Sequence, residues 1–118
     1  MPGTEGTLTL YVDDGQVGPL PFYFVQLSSY GPRPNDTGGS PWAELREAQG
    51  TTLALPDTGM AVSIDVGDAN DIHPRDKRTV GERLARVALA RSHGQPIAFE
   101  GPQYASHQRL PGGRMAVQ

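Results

Sequence analysis

Apolar and polar residues change rhythm several times along this chain, and each change marks an element. Residues 7–13, Thr-Leu-Thr-Leu-Tyr-Val-Asp, alternate, which predicts a half-buried strand ended by the turn pair Asp14-Gly15. Phe22 to Leu27 is almost unbroken in its apolar character, the pattern of a strand buried on both faces. These two runs suit a hairpin, with Gly18, Pro19 and Pro21 making the connection irregular. Residues 28–39 read as a loop, broken by Gly31, Pro32, Pro34, Asn35, Gly38 and Gly39. Ser40 then offers an N-cap and Pro41 a first helical position, so a short helix is expected from Pro41 to about Gln49, with Gly50 as its stop. Met60, Val62, Ile64 and Val66 alternate with small or polar residues and predict a strand over 60–66. Asp76 caps a second helix over 77–91, whose Val80, Leu84, Val87 and Ala88 share one side and which His93-Gly94 closes. Pro96 to Glu100 predicts a last short strand, and an irregular tail follows from Gly101. The fold class is therefore α/β, with too few strands to cover its own sheet edges.

Composition sharpens that picture. A chain of 118 residues holds one domain at most. Only 36% of it is hydrophobic, while 15 glycines and 11 prolines dilute the core-forming residues, so self-association, most simply as a homodimer, is the expected remedy for a small core. The net charge of −3 comes from interspersed acids and bases, which leaves no basic footprint for nucleic acid. Zero cysteines exclude disulfides and thiolate metal sites. No apolar run approaches the ~20 residues of a membrane span. Met1-Pro2-Gly3-Thr4-Glu5-Gly6 lacks the basic and apolar segments of a secretory signal, so the expected location of the chain as encoded is cytoplasmic.

The chemistry concentrates in Asp65-Val66-Gly67-Asp68-Ala69-Asn70-Asp71-Ile72-His73-Pro74, between the 60–66 run and the second helix. Open α/β sheets place ligands beyond the carboxyl ends of their strands. Residues two apart on an extended segment share a face, so Asp71 is able to orient the His73 imidazole, the acid and base of a nucleophile-activating triad. Asp68 and Asp65 are further acids within reach of the loop. The nucleophile is harder to find. Ser28, Ser29, Ser40, Ser63, Ser92 and Ser106 all lack the glycine-rich elbow that exposes a reactive serine. Ser28 and Ser29 alone carry a geometric argument: they leave the Phe22–Leu27 strand at the edge that holds His73 if that strand runs parallel to 60–66. Tyr23 and Tyr30 supply phenols with no motif around them. A divalent metal is the other route to a nucleophile, with Asp65, Asp68, Asp71 and His73 as candidate ligands and neighbouring Asp76 completing the cluster; a bound ion activates water without a serine. Their spacing matches no metal motif, and aspartate-rich loops are usually solvated turns.

Several blocks carry a family resemblance. Leu20-Pro21-Phe22-Tyr23-Phe24-Val25-Gln26-Leu27, Trp42-Ala43-Glu44-Leu45-Arg46-Glu47-Ala48-Gln49, Thr58-Gly59-Met60-Ala61-Val62, Asn70-Asp71-Ile72-His73-Pro74 with Lys77, and Val80-Gly81-Glu82-Arg83-Leu84-Ala85 resemble, in order, the sialate O-acetylesterase-like carbohydrate esterases of the SGNH-hydrolase superfamily. The resemblance covers residues 20–104 and is to the carboxyl-terminal part of such enzymes, without their amino-terminal serine block. It implies a partial flavodoxin-like α/β fold completed by oligomerisation, a non-homologous extension over 1–19 and a tail over 105–118. It also implies that His73 stands at the catalytic histidine position. Many SGNH hydrolases place the aspartate three residues earlier, and that position here is Asn70. Three functions follow as expectations: a hydrolase acting on a small-molecule ester through the Asp–His loop without the family's serine, a non-catalytic self-associating remnant, and a metal-dependent hydrolase.

Overall fold

The computed structural model describes residues 20–32 and 39–118. The run at 7–13, and its expected hairpin with the next strand, lie outside them. Two strands, β1 (Phe22–Val25) and β2 (Thr58–Ala61), flank the first helix, α1 (Pro41–Thr51). The second helix, α2 (Lys77–Arg91), follows, and two short strands, β3 (His107–Arg109) and β4 (Met115–Val117), end the chain.

β1 and β2 pair in parallel, Phe22 opposite Thr58 and Val25 opposite Ala61. The ladder is extended at both ends, by Phe22 N–H to the Asp57 carbonyl (2.8 Å) and Gln26 N–H to the Ala61 carbonyl (2.9 Å). β1–α1–β2 is thus a strand–helix–strand unit, as parallel neighbours require. The core sits where α2 crosses this pair: Met60, Ala61 and Val87 are the buried apolar residues among those described. Gly59 makes that crossing close. A Cβ there would run into the Val87 side chain and lie 2.9 Å from the Tyr23 ring.

Several expectations are corrected. β1 is half-buried along its whole length, not buried on both faces. β2 ends at Ala61, and Ile64–Val66 forms a 3-10 turn in place of the expected strand to residue 66. The alternation misled because β2 is a parallel strand buried on both faces, so Gly59 and Ala61 are small to admit α2, not polar to meet water. Gly50 does not stop α1. It lacks the positive φ of a glycine stop, and α1 continues to Thr51, whose hydroxyl donates to the Ala48 carbonyl at 2.7 Å.

Residues 96–100 form no strand. Side chains of α2 hold them instead: Arg86 donates to the Ala98 carbonyl (3.2 Å), and Arg91 pairs with Glu100 (3.1 Å) while covering the Phe99 ring. The expected irregular tail contains the antiparallel β3–β4 hairpin, His107 opposite Val117, turned through Gly112 and Gly113 at φ 75° and 70°. Ser40 and Asp76 cap their helices as the sequence predicts, Asp76 accepting from both the Thr79 N–H (3.0 Å) and hydroxyl (2.6 Å).

Candidate active site

Because β1 and β2 are parallel, the chain leaves both at the same sheet edge, and the two exit loops are laced together. Gly31 N–H donates to the Ala69 carbonyl at 3.1 Å. Gly67 lies directly against the Ser29 backbone, in space that a Cβ would fill. The geometric condition placing Ser28 and Ser29 on the side of His73 is met.

Both serines are nonetheless engaged elsewhere. Ser28 is buried, with its hydroxyl 2.7 Å from that of Ser63. Ser63 spends its own proton on the Gln26 carbonyl (2.6 Å), so Ser28 is the donor in that pair. The Ser29 hydroxyl donates to the Ile64 carbonyl. The Ser28 carbonyl accepts from the Trp42 indole N–H at 2.7 Å, which fixes α1 to this edge. These hydroxyls stitch the two exit loops together, and neither bonds to His73. The Tyr23 phenol pairs with the Ser92 hydroxyl (2.6 Å), in a recess with Pro21 and Asp57 before the strands begin.

The Asp–His loop is anchored at both ends. At its start, Arg83 of α2 grips Asp65 with its two terminal guanidinium nitrogens (2.5 and 2.7 Å) and also donates to the Val62 carbonyl (2.9 Å). That bidentate bond holds the Asp65 carboxyl down at about 2, against an ordinary 3.8, and pushes the Arg83 guanidinium up. At its end stands the Asp76 cap. Between them, Asp68 accepts from the Asn70 N–H (2.9 Å) and closes a turn with Asp71, whose N–H meets the Asp68 carbonyl at 3.4 Å.

Asp71 is the aspartate that partners His73. Its Oδ1 accepts the His73 backbone N–H at 2.9 Å and lies 3.3 Å from the ring Nδ1. The backbone bond is the main reason its carboxyl sits below the usual range, with the imidazole adding to it. One oxygen thus accepts a backbone N–H, common for Asp in turns, and stands next to the imidazole. An Nδ1 proton directed at Asp71 leaves Nε2 as the basic nitrogen. The imidazole is 82% exposed, so Nε2 is open to a reactant.

The remaining acids do not join this pair. Asp65 faces Arg83, and Asp68 faces its own turn and Arg75 at 4.0 Å. Among the described residues no three His, Asp or Glu side chains converge to hold a metal ion, so Asp65, Asp68, Asp71 and His73 do not form a ligand set. A cavity of about 500 Å³ lies along Met60, Val62, Ile64, Arg83 and Phe99, and His73 is not among its lining residues. Sequence reasoning missed Arg83, although an arginine at helical spacing from Val80 and Val87, on the packed side of α2, was the available signal. It also missed the roles of Gly67 and Ser63, which depend on contacts across the two loops.

No family model matches the chain. It is 41% identical over 94 residues to the sialate O-acetylesterase of Mus musculus, covering 70% of this chain and 17% of that protein. With the Homo sapiens sialate O-acetylesterase the identity is 38% over 94 residues, covering 70% of this chain and 18% of the relative. The crystal structure of a carbohydrate acetylesterase from Xanthomonas citri superposes at a TM-score of 0.71 with 42% identity, over 82% of this chain and 22% of that one. The chain therefore spans less than a fifth of the length of these curated relatives. Over the residues it shares with them, this chain is a sialate O-acetylesterase-like segment.

Proposed function

We propose that the chain takes part in hydrolysing an O-acyl ester of a carbohydrate, with His73 as general base and acid and Asp71 as its orienting acid. The observation that carries this reading is the Asp71 carboxylate 3.3 Å from Nδ1 of a His73 imidazole that is largely exposed. In this scheme Nε2 takes the proton from an attacking water or hydroxyl as that oxygen bonds to the acyl carbon, and returns it to the alcohol oxygen as the ester bond breaks. Ser28 and Ser29 are set aside as nucleophiles because their protons are committed to Ser63 and Ile64. The similarity to named acetylesterases supports an ester as the substrate class. His73→Ala is expected to lower hydrolysis of an activated acetate ester by about 10²–10⁴-fold, the usual worth of a general base. Asp71→Asn should fall between the variant and the parent, and a serine-directed phosphonate should add no mass at Ser28 or Ser29. Equal rates in the parent and His73→Ala, or no rate above buffer in the parent, would overturn the proposal.

The chain is further proposed to act as a two-fold dimer. Both outer edges of the β1–β2 pair are unpaired among the described residues, and Leu45, Leu55, Val62, Ile64 and Val117 are exposed.

A further inference from the structure

We infer that Tyr30, backed by Trp42, is the platform on which a pyranose ring of the substrate stacks at the sheet edge whose exit loops include His73. The inference rests on the ester-hydrolase reading for its substrate class and on separate geometry for its place. Tyr30 lies between Ser29, packed on Gly67, and Gly31, bonded to Ala69, so its backbone is fixed against the loop that carries Asp71 and His73. The residue is 47% exposed at that edge.

The ring is also held in place. Its centroid is 5.7 Å from that of Trp42, tilted by 52°, and the Trp42 indole is pinned by its 2.7 Å bond to the Ser28 carbonyl. The two aromatics therefore pack as a pair in which Tyr30 remains about half exposed among the described residues. Tyrosine gives a large contact area at low conformational-entropy cost, which suits a rigid binding surface. The electron-rich face of an aromatic ring attracts the slightly positive axial C–H groups of a pyranose, a contact that an acyclic polyol cannot make as well. Tyr30 acts here by positioning the sugar and takes no part in bond breaking.

Trp42 is the single tryptophan, so its fluorescence reports events at Tyr30 directly. The test titrates the chain with an O-acetylated methyl glucopyranoside and, as control, glycerol monoacetate. Saturation-transfer NMR provides a readout that does not depend on the tryptophan. The pyranoside should bind saturably and shift Trp42 emission. Tyr30→Phe should bind within about twofold of the parent, whereas Tyr30→Ala should bind roughly tenfold more weakly, the range of one aromatic contact. Glycerol monoacetate should not respond to either change. Equal pyranoside affinity in Tyr30→Ala and the parent would sink the inference, as would the absence of saturable pyranoside binding. Binding is read before appreciable hydrolysis of the ligand, so a failure of the His73 reading, seen as undiminished hydrolysis by His73→Ala, is a separate result.

Discussion

Single residues at this sheet edge do two jobs, and pH separates them. Asp65 is held at about 2 by Arg83, below its ordinary 3.8, so folding gains from its ionised form. A carboxyl depressed in the folded state stabilises above its ordinary value and loses that contribution as pH falls through the folded one. The anchor of the Asp–His loop should therefore weaken between pH 3.8 and about 2. Asp65→Asn is expected to flatten this limb of an acid titration followed by circular dichroism. An unchanged limb would show that the Arg83 clamp is not what holds the loop. Asp71 and Asp76 are depressed for related reasons, by the His73 backbone and by Thr79, and act in the same direction. Ser28→Ala removes only a stitch to Ser63, so it should cost about 1 kcal/mol of stability while leaving any esterase rate unchanged.

At the level of elements, two glycines set how closely pieces approach. Gly59 lets α2 lie on β2, and Gly67 lets the two exit loops touch. In Gly59→Ala, Val87 must move, and overpacking of this kind typically costs about 1–3 kcal/mol. Gly67→Ala meets backbone and not a flexible side chain, so the Ser29 loop itself must shift. Its expected signature is a thermal loss at least as large as that of Gly59→Ala with a larger drop in ester hydrolysis, since it separates the two exit loops. Thermal melts and rates on one activated ester check both. The helices were the most legible elements because their signals are local. Ser40-Pro41 and Asp76 mark the starts chemically, and Val80, Leu84 and Val87 give α2 its period. The strands were less legible. β2 is short and buried on both faces, so alternation carried no information about which face met α2.

The whole molecule exposes more apolar surface than so small a core balances. Leu55 is 59% exposed and Val117 65%. Burying such side chains between copies replaces contacts that a lone chain lacks, and closed two-fold dimers are the commonest arrangement. Light scattering at micromolar concentration should give about twice the 12.6 kDa chain mass. A folded species that stays at the chain mass on concentration would contradict this. No helix among the described residues is long and apolar enough to cross a membrane.

The sequence by itself determined the helix starts, the position of the Asp–His loop and the acids within its reach. All of these rest on residues close together in the chain: a cap and its third neighbour, a strand and its exit loop, a carboxylate two residues from an imidazole. Tertiary structure decided the rest: that β1 and β2 run parallel, and that Asp71 is the acid beside the imidazole. Ser28 and Ser29 were candidates on local grounds, and only the tertiary structure shows Ser63 and Ile64, more than thirty residues away, as the partners of their hydroxyls. Asp65 and Asp68 were candidate ligands, and only the tertiary structure shows Arg83 bonded to the one and the Asn70 turn to the other. Residues 96–100 have the composition of a strand but lie against α2, whose arginines hold them away from any ladder. A side chain's role is fixed by the partner that reaches it first, and that partner is named only when distant segments meet.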